Sequence, residues 1–196
     1  MKKLVFATNN EHKLYEVKKM LSGFYKVIGL KEAGIHEDIP ENEPTLDGNA
    51  KAKAQYVWDK LKLNVFADDT GLEIDALNGE PGVYSARYAG PDKNSIDNMK
   101  LVLEKMGNTH LRSAQFRTSI CLILEGNTYY FEGKVVGSML ESPRGTEGFG
   151  YDPIFQPQGY TVSFAEMPLD EKNKISHRGR AISKLIDFLK TTEVIK

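Results

Sequence analysis

Residues 114–124 alternate with a period of two. Ala114, Phe116, Thr118, Ile120, Leu122 and Leu124 share one face, as a strand requires. Glu125-Gly126-Asn127-Thr128 then supplies a turn, and residues 129–140 return as a second long strand. Two such runs around a glycine turn form a hairpin. A hairpin is antiparallel, so no purely parallel sheet accommodates this chain. The remainder mixes short apolar strands with helical periodicities, which calls for crossover connections. The expectation is an α/β protein built on a mixed sheet. A cleft between two lobes follows if the hairpin extends beyond the main sheet.

The other elements are read from the same two periods. Residues 4–7 form a short buried strand, and Leu14, Val17 and Leu21 mark a helix that stops near Gly23. Residues 26–30 are a second strand. An acidic loop with Asp38, Glu41, Glu43 and Asp47 follows, then a helix from about Asn49 to Leu61. Residues 65–67 form a strand that ends at Asp68-Asp69-Thr70-Gly71, and residues 72–77 form another. Residues 79–91 are loop. Ile96, Met99, Leu103 and Met106 mark a third helix, residues 144–153 a glycine-bearing loop, and residues 179–189 a last helix. No internal repeat or low-complexity tract is visible.

With 196 residues the chain suits one domain over residues 1–196. A formal net charge of −1 argues against a general nucleic-acid coat or a polybasic membrane binder. The one cysteine, Cys121, allows no intrachain disulfide and reads as a core residue. The apolar start is too short for a signal peptide, because Thr8-Asn9-Asn10-Glu11 ends it. No run approaches the roughly 20 apolar residues of a membrane helix. The expected location is the cytoplasm. His36 and His110 read as surface residues.

Five places could carry chemistry. Thr8, Asn9 and Asn10 precede a helix, with Lys13 one turn in. They make either a phosphate-binding helix start or a plain cap with a solvated lysine. Asp68-Asp69 at a strand end would be costly without a cation, and magnesium suits such a pair. A turn or cap is the alternative. Neighbours along a strand face opposite ways, so one of the two carboxylates would face a ligand. The acidic loop around Glu41 is either functional or solvated. Gly148-Phe149-Gly150-Tyr151-Asp152-Pro153 offers close backbone approach and aromatics able to stack on a base, or a tight turn anchored in the core. Lys172 with Ser176-His177-Arg178 could meet anions or a base edge, or simply begin a helix.

In this order and spacing, with Pro81-Gly82-Val83-Tyr84-Ser85-Ala86-Arg87-Tyr88 between them, the motifs resemble the inosine/xanthosine triphosphate pyrophosphatase, or Ham1-like, family. The resemblance covers nearly the whole chain. It implies a long central mixed sheet with flanking helices, two lobes around a substrate cleft, a magnesium requirement and a homodimer. Carried across residue by residue, it implies that Thr8, Asn9, Asn10, Glu11, His12 and Lys13 hold the triphosphate. Lys53 would face the phosphates, and Thr70 would line the substrate site. Glu41 and Asp69 would be metal ligands, with Asp69 also the general base. Phe149, Gly150, Tyr151 and Asp152 would form the nucleobase pocket with Lys172, His177 and Arg178. The chain departs from the pattern at Asn9, where many members have glycine, and at Thr70, where serine is frequent; Thr70 keeps the hydroxyl.

The implied reaction is hydrolysis of non-standard purine nucleoside triphosphates (XTP, ITP, dITP) to the monophosphate and pyrophosphate. Two rivals share the motifs: a pyrophosphatase for other modified nucleotides, and a nucleotide-binding regulator that does not hydrolyse. The intact Asp68-Asp69 and Lys13 argue against the second. A single-stranded nucleic-acid binder using the loop aromatics fits poorly with the net charge.

Overall fold

The computed structural model describes residues 2–194. Seven strands form one mixed sheet: β1 (Lys3–Phe6), β2 (Lys26–Ile28), β3 (Val65–Ile74), β4 (Pro81–Gly82), β5 (Ser113–Leu124), β6 (Asn127–Met139) and β7 (Phe155–Pro157). The helices are α1 (Glu11–Met20), α2 (Leu46–Leu61), α3 (Ser95–Met106), α4 (Leu169–Ile175) and α5 (His177–Val194). The strand order is β2-β1-β3-β5-β6-β7, with β4 beside β3. β1 pairs in parallel with β2 and β3, while β4 on β3 and β7 on β6 are antiparallel. The β5–β6 hairpin turns at Glu125 and Gly126, whose φ of 51° and 84° suit a tight two-residue turn.

Two compact units emerge, one of Met1–Asp69, Thr118–Gly133 and Arg178–Lys196, the other of Thr70–Arg117 and Lys134–His177. β3, β5 and β6 each contribute residues to both.

In the first unit, strand alternation sorts the core into two sets. Leu4, Phe6, Phe66, Ile120 and Leu122 pack with Val17 of α1, with Leu21 just after it, and with Leu185 and Leu189 of α5. The intervening residues Val5, Ala7, Val65, Ala67, Cys121 and Ile123 pack with Ala50, Ala54 and Val57 of α2. Both faces of this part of the sheet are therefore covered, which explains its short, uniformly apolar strands. Cys121 is fully buried, as expected, and burial pushes its thiol up to about 11. In the second unit, Phe116, Phe155 and Phe164 anchor a core with Val102 and Met106 of α3.

The observed elements correct several sequence-based boundaries. Residues 65–74 form one strand of 10 residues, not two strands. α2 begins at Leu46 because Thr45 caps it, accepting from Gly48 N. α5 begins at His177, and the short α4 carries no periodicity long enough to read. His36 and His110 are exposed, as expected.

Candidate functional site

The alternation that sorts the core continues into Asp68 and Asp69 and sends their carboxylates to different partners. Asp68 follows the face of Phe66 and meets α1 and α5. Its Oδ1 accepts from Lys13 Nζ at 3.0 Å and its Oδ2 from Arg178 Nε at 3.2 Å. Arg178 Nη1 also donates to Glu16 Oε2 at 2.7 Å. All of Asp68, Arg178 and Glu16 are buried. Burial alone would raise the Asp68 carboxyl, but Lys13 and Arg178 outweigh it and hold the group well below the usual carboxylate range.

Asp69 follows the face of Ala67 and meets α2. Its Oδ2 accepts from Asn49 Nδ2 at 2.9 Å, and Lys53 Nζ lies 3.9 Å from its Oδ1. Lys53 is shared with Glu41 of the acidic loop, to which it donates directly. Here burial wins over Lys53, Lys13 and Asn49, and the Asp69 carboxyl is raised. Adjacent carboxylates thus have opposed proton affinities: one is locked as an anion, the other is the better base. Environments that separate two neighbouring carboxyls in this way mark acid–base sites.

The two lysines are set apart as well. Burial lowers Lys13, helped by Arg178 and Lys53 and opposed by Asp68. Burial also pulls on Lys53, but Glu41, Asp69 and Asp68 together raise it. Lys13 stands at the start of α1, where Asn10 accepts from Lys13 N at 3.1 Å and Thr8 Oγ1 accepts from Asn10 N at 3.1 Å. Asn9 Nδ2 donates to Asp38 Oδ1 at 2.9 Å. Asn9, Asn10, Glu11 and His12 are exposed and Thr8 is half-buried. A helix N-terminus of this kind offers unpaired N–H groups and a positive dipole end to an anion.

Asp69 and Glu41 converge on one ammonium group, and both are hard oxygen donors. Among the described residues no three His, Cys, Asp or Glu side chains cluster as a ready metal cage. That donor set fits a small divalent ion which takes one or two carboxylates and completes its shell with waters and phosphate oxygens.

The second unit holds the other expected group. Asp152 Oδ2 accepts from Lys172 Nζ at 2.7 Å and from Phe149 N at 2.8 Å. Lys172 Nζ lies 5.1 Å from the centre of the Phe149 ring. Gly148 has φ +75°, and a Cβ there would sit 2.1 Å from Asp152 Oδ2, so only glycine fits. Gly150 also has positive φ. His177 stacks on Phe116, with ring centres 4.6 Å apart. Tyr151 is part of the core, and its hydroxyl donates to Ser85 O at 2.8 Å. Ser85 Oγ in turn accepts from Leu72 N at 2.9 Å and donates to Gly82 O at 2.6 Å. Phe149 is half-buried, so of the two loop aromatics it is the one with surface left to offer. Thr70, half-buried, opens this unit in β3.

The structure thus brings Lys53, Asp69 and Glu41 together in the first unit, with Lys13 on the neighbouring Asp68, and Phe149, Asp152 and Lys172 together in the second, where His177 stacks on Phe116. Arg178 lies with Asp68 and Glu16, engaged through Nε and Nη1.

The sequence pattern of the Ham1 family matches residues 4–188. The chain belongs to the Ham1 family. It is 52% identical over 191 residues to a protein of Flavobacterium johnsoniae named dITP/XTP pyrophosphatase, covering 97% of this chain and 100% of that one. A Porphyromonas gingivalis protein of the same name is 51% identical, over 96% of this chain and 98% of its own length. The solved Ham1 protein of Staphylococcus aureus superposes with a TM-score of 0.88 at 40% identity, covering 97% of this chain and 100% of that one.

Two residues of this Ham1-family site escaped the sequence reading. Glu16 lies three residues after Lys13, on the same helix face, but a charged residue on a helix reads as solvated until its neighbours are known. Asn49 stood at the expected helix start, with nothing to mark it as enclosed.

Proposed function

We propose that this chain hydrolyses inosine, deoxyinosine and xanthosine triphosphates to the monophosphate and pyrophosphate, and so removes deaminated purines from the nucleotide pool. The observation that carries the chemistry is the split of Asp68 and Asp69. It leaves a raised carboxyl beside Lys53 and Glu41 while Lys13 stands at a helix N-terminus.

Phosphoryl chemistry needs positioning and charge neutralisation above all. The N–H groups at the start of α1, with Lys13 and Lys53, offset the charge of the triphosphate. Asp69 takes the proton of the attacking water as general base. The water oxygen bonds to the α-phosphorus, and the bond to the bridging oxygen breaks, its electron pair leaving with pyrophosphate. Asp69 and Glu41 would hold a magnesium ion, which when bound supplies further neutralisation of the phosphates.

Base choice follows from hydrogen-bond polarity. Hypoxanthine and xanthine present an acceptor oxygen at position six, where adenine presents a donor amine. Lys172 offers donors, Phe149 a ring face, and His177 completes the set. A donor-lined pocket accepts the oxo form and leaves the amine unmatched, a mismatch able to discriminate by about 10⁴-fold. Among the described residues no helix is long and apolar enough to cross a membrane. The resemblance to enzymes of the nucleotide pool supports a cytoplasmic location and a homodimer.

The test is pyrophosphate release from inosine, xanthosine, adenosine, guanosine, cytidine and uridine triphosphates, with magnesium and with chelator. A metal-dependent preference for the inosine and xanthosine compounds is expected. A flat profile would refute the base pocket, and absence of turnover would refute the reaction.

A further inference from the structure

Asn49 sits in the first turns of α2 with its side chain completely enclosed. Both ends of its amide are engaged. Nδ2 donates to Asp69 Oδ2 at 2.9 Å, and Oδ1 accepts from the backbone N–H of Glu43 at 3.0 Å. The amide cannot reverse, because an ionised carboxylate only accepts and a backbone N–H only donates. It is a strut of fixed polarity between β3 and the acidic loop.

Each end bears on a different carboxylate. Glu43 is two residues beyond Glu41, so the contact to its N–H fixes the loop close to where Glu41 meets Lys53. The contact holds Oδ2 of Asp69 at Asn49, with Oδ1 3.9 Å from Lys53 one turn further along α2. Glu41 also ties the loop to Lys53. The ties from Asp38 to Asn9, and from Glu37 to Tyr56 and Lys60, lie at exposed positions, where water competes.

We propose that Asn49 is a positioning residue for the hydrolysis, one amide setting both the orientation of Asp69 and the place of Glu41 against Lys53. The proposal rests on the reading of Asp69 and Glu41 given above. Asn49 acts through these groups, so its removal affects turnover more than substrate binding.

The full-length chain is tested with three variants. Asn49→Ala removes both contacts. Asn49→Asp keeps the shape and the acceptor for Glu43 N–H but loses the donor to Asp69. Asn94→Ala removes the cap of α3, a loss of stability remote from this chemistry. Asn49→Ala is expected to lower kcat for inosine triphosphate about tenfold to hundredfold, the equivalent of losing a hydrogen bond to a charged group. KM should stay within about threefold, and Asn94→Ala should leave kcat unchanged.

A second readout uses the protein without nucleotide or metal: hydrogen exchange of the Glu43 amide. It should accelerate at least about tenfold in Asn49→Ala and stay protected in Asn49→Asp, although that variant also loses turnover. Wild-type kcat in either Asn49 variant overturns the proposal, as does unchanged exchange in Asn49→Ala. If Asn49→Ala does not fold, the isosteric Asn49→Asp decides by its kcat. If the wild-type protein fails to hydrolyse inosine triphosphate, the pyrophosphatase reading falls, whereas the exchange pattern still decides whether Asn49 holds the loop.

Discussion

Replacing Arg178 with alanine asks whether this guanidinium holds the first unit together or serves chiefly to meet a base. Its Nη1 lies 2.7 Å from Glu16 and its Nε 3.2 Å from Asp68, and no side chain of the three is more than 6% exposed. Removing it leaves two buried carboxylates without the cation they share. Breaking a buried ion pair from one side costs roughly 3–5 kcal/mol, most of it the penalty of the stranded charge. For a chain of this size that corresponds to a fall of about 6–20 °C in unfolding temperature. Arg178→Lys should fall between, since one ammonium cannot reproduce the fork that spans two carboxylates.

Urea unfolding followed by the fluorescence of Trp58 measures the loss, because this one tryptophan lies in α2 of the same unit. The pH dependence supplies a second check. The Asp68 carboxyl is depressed in the folded protein, against its burial, by Lys13 and Arg178. A depressed carboxyl contributes stability that is present above its unfolded value, near 3.9, and lost as pH falls through the folded one. The variant lacks part of this depression. Its deficit relative to wild type should therefore be full above about pH 5 and shrink as the pH drops below about 4. A deficit under about 1 kcal/mol at neutral pH, or one that grows on acidification, would refute the reasoning.

Three further outcomes are expected. Asp69→Asn should reduce turnover by at least about 10²-fold with the unfolding midpoint little changed, read from pyrophosphate release and urea titration side by side. Gly148→Ala places a Cβ 2.1 Å from Asp152 Oδ2 and should displace Asp152 from Lys172. KM for inosine triphosphate should rise about tenfold, and an unchanged KM would remove this loop from substrate binding. Tyr151→Phe deletes the hydroxyl that donates to Ser85 O and should cost about 0.5–1.5 kcal/mol of stability. The preference for inosine over adenosine triphosphate should persist, and its loss would show that Tyr151 shapes the base pocket.

The hairpin and the mixed sheet were legible because alternation over a dozen residues has no other explanation. The single strand Val65–Ile74 was not, since Gly71 reads as a break. Here Gly71 instead lets β4 approach: a Cβ would lie 2.7 Å from Gly82 O. Glycine in a strand marks either interruption or close passage, and the sequence does not distinguish them. A related ambiguity governs His177 and Arg178. The family resemblance implies one pocket for both, whereas adjacency alone does not place them together, because consecutive residues on a helix do not face the same way. His177 stacks on Phe116 while Arg178 reaches Asp68 and Glu16. Asp68 and Asp69 show the same divergence at its most readable, because a strand's period is fixed at two. The first carboxylate takes the face shared by α1 and α5, where two cations neutralise it. The second takes the face of α2, where a neutral amide holds one oxygen and a lysine shared with Glu41 stands near the other. An adjacent pair is therefore not redundant: one member holds cations in place, while the carboxyl of the other is raised by its burial.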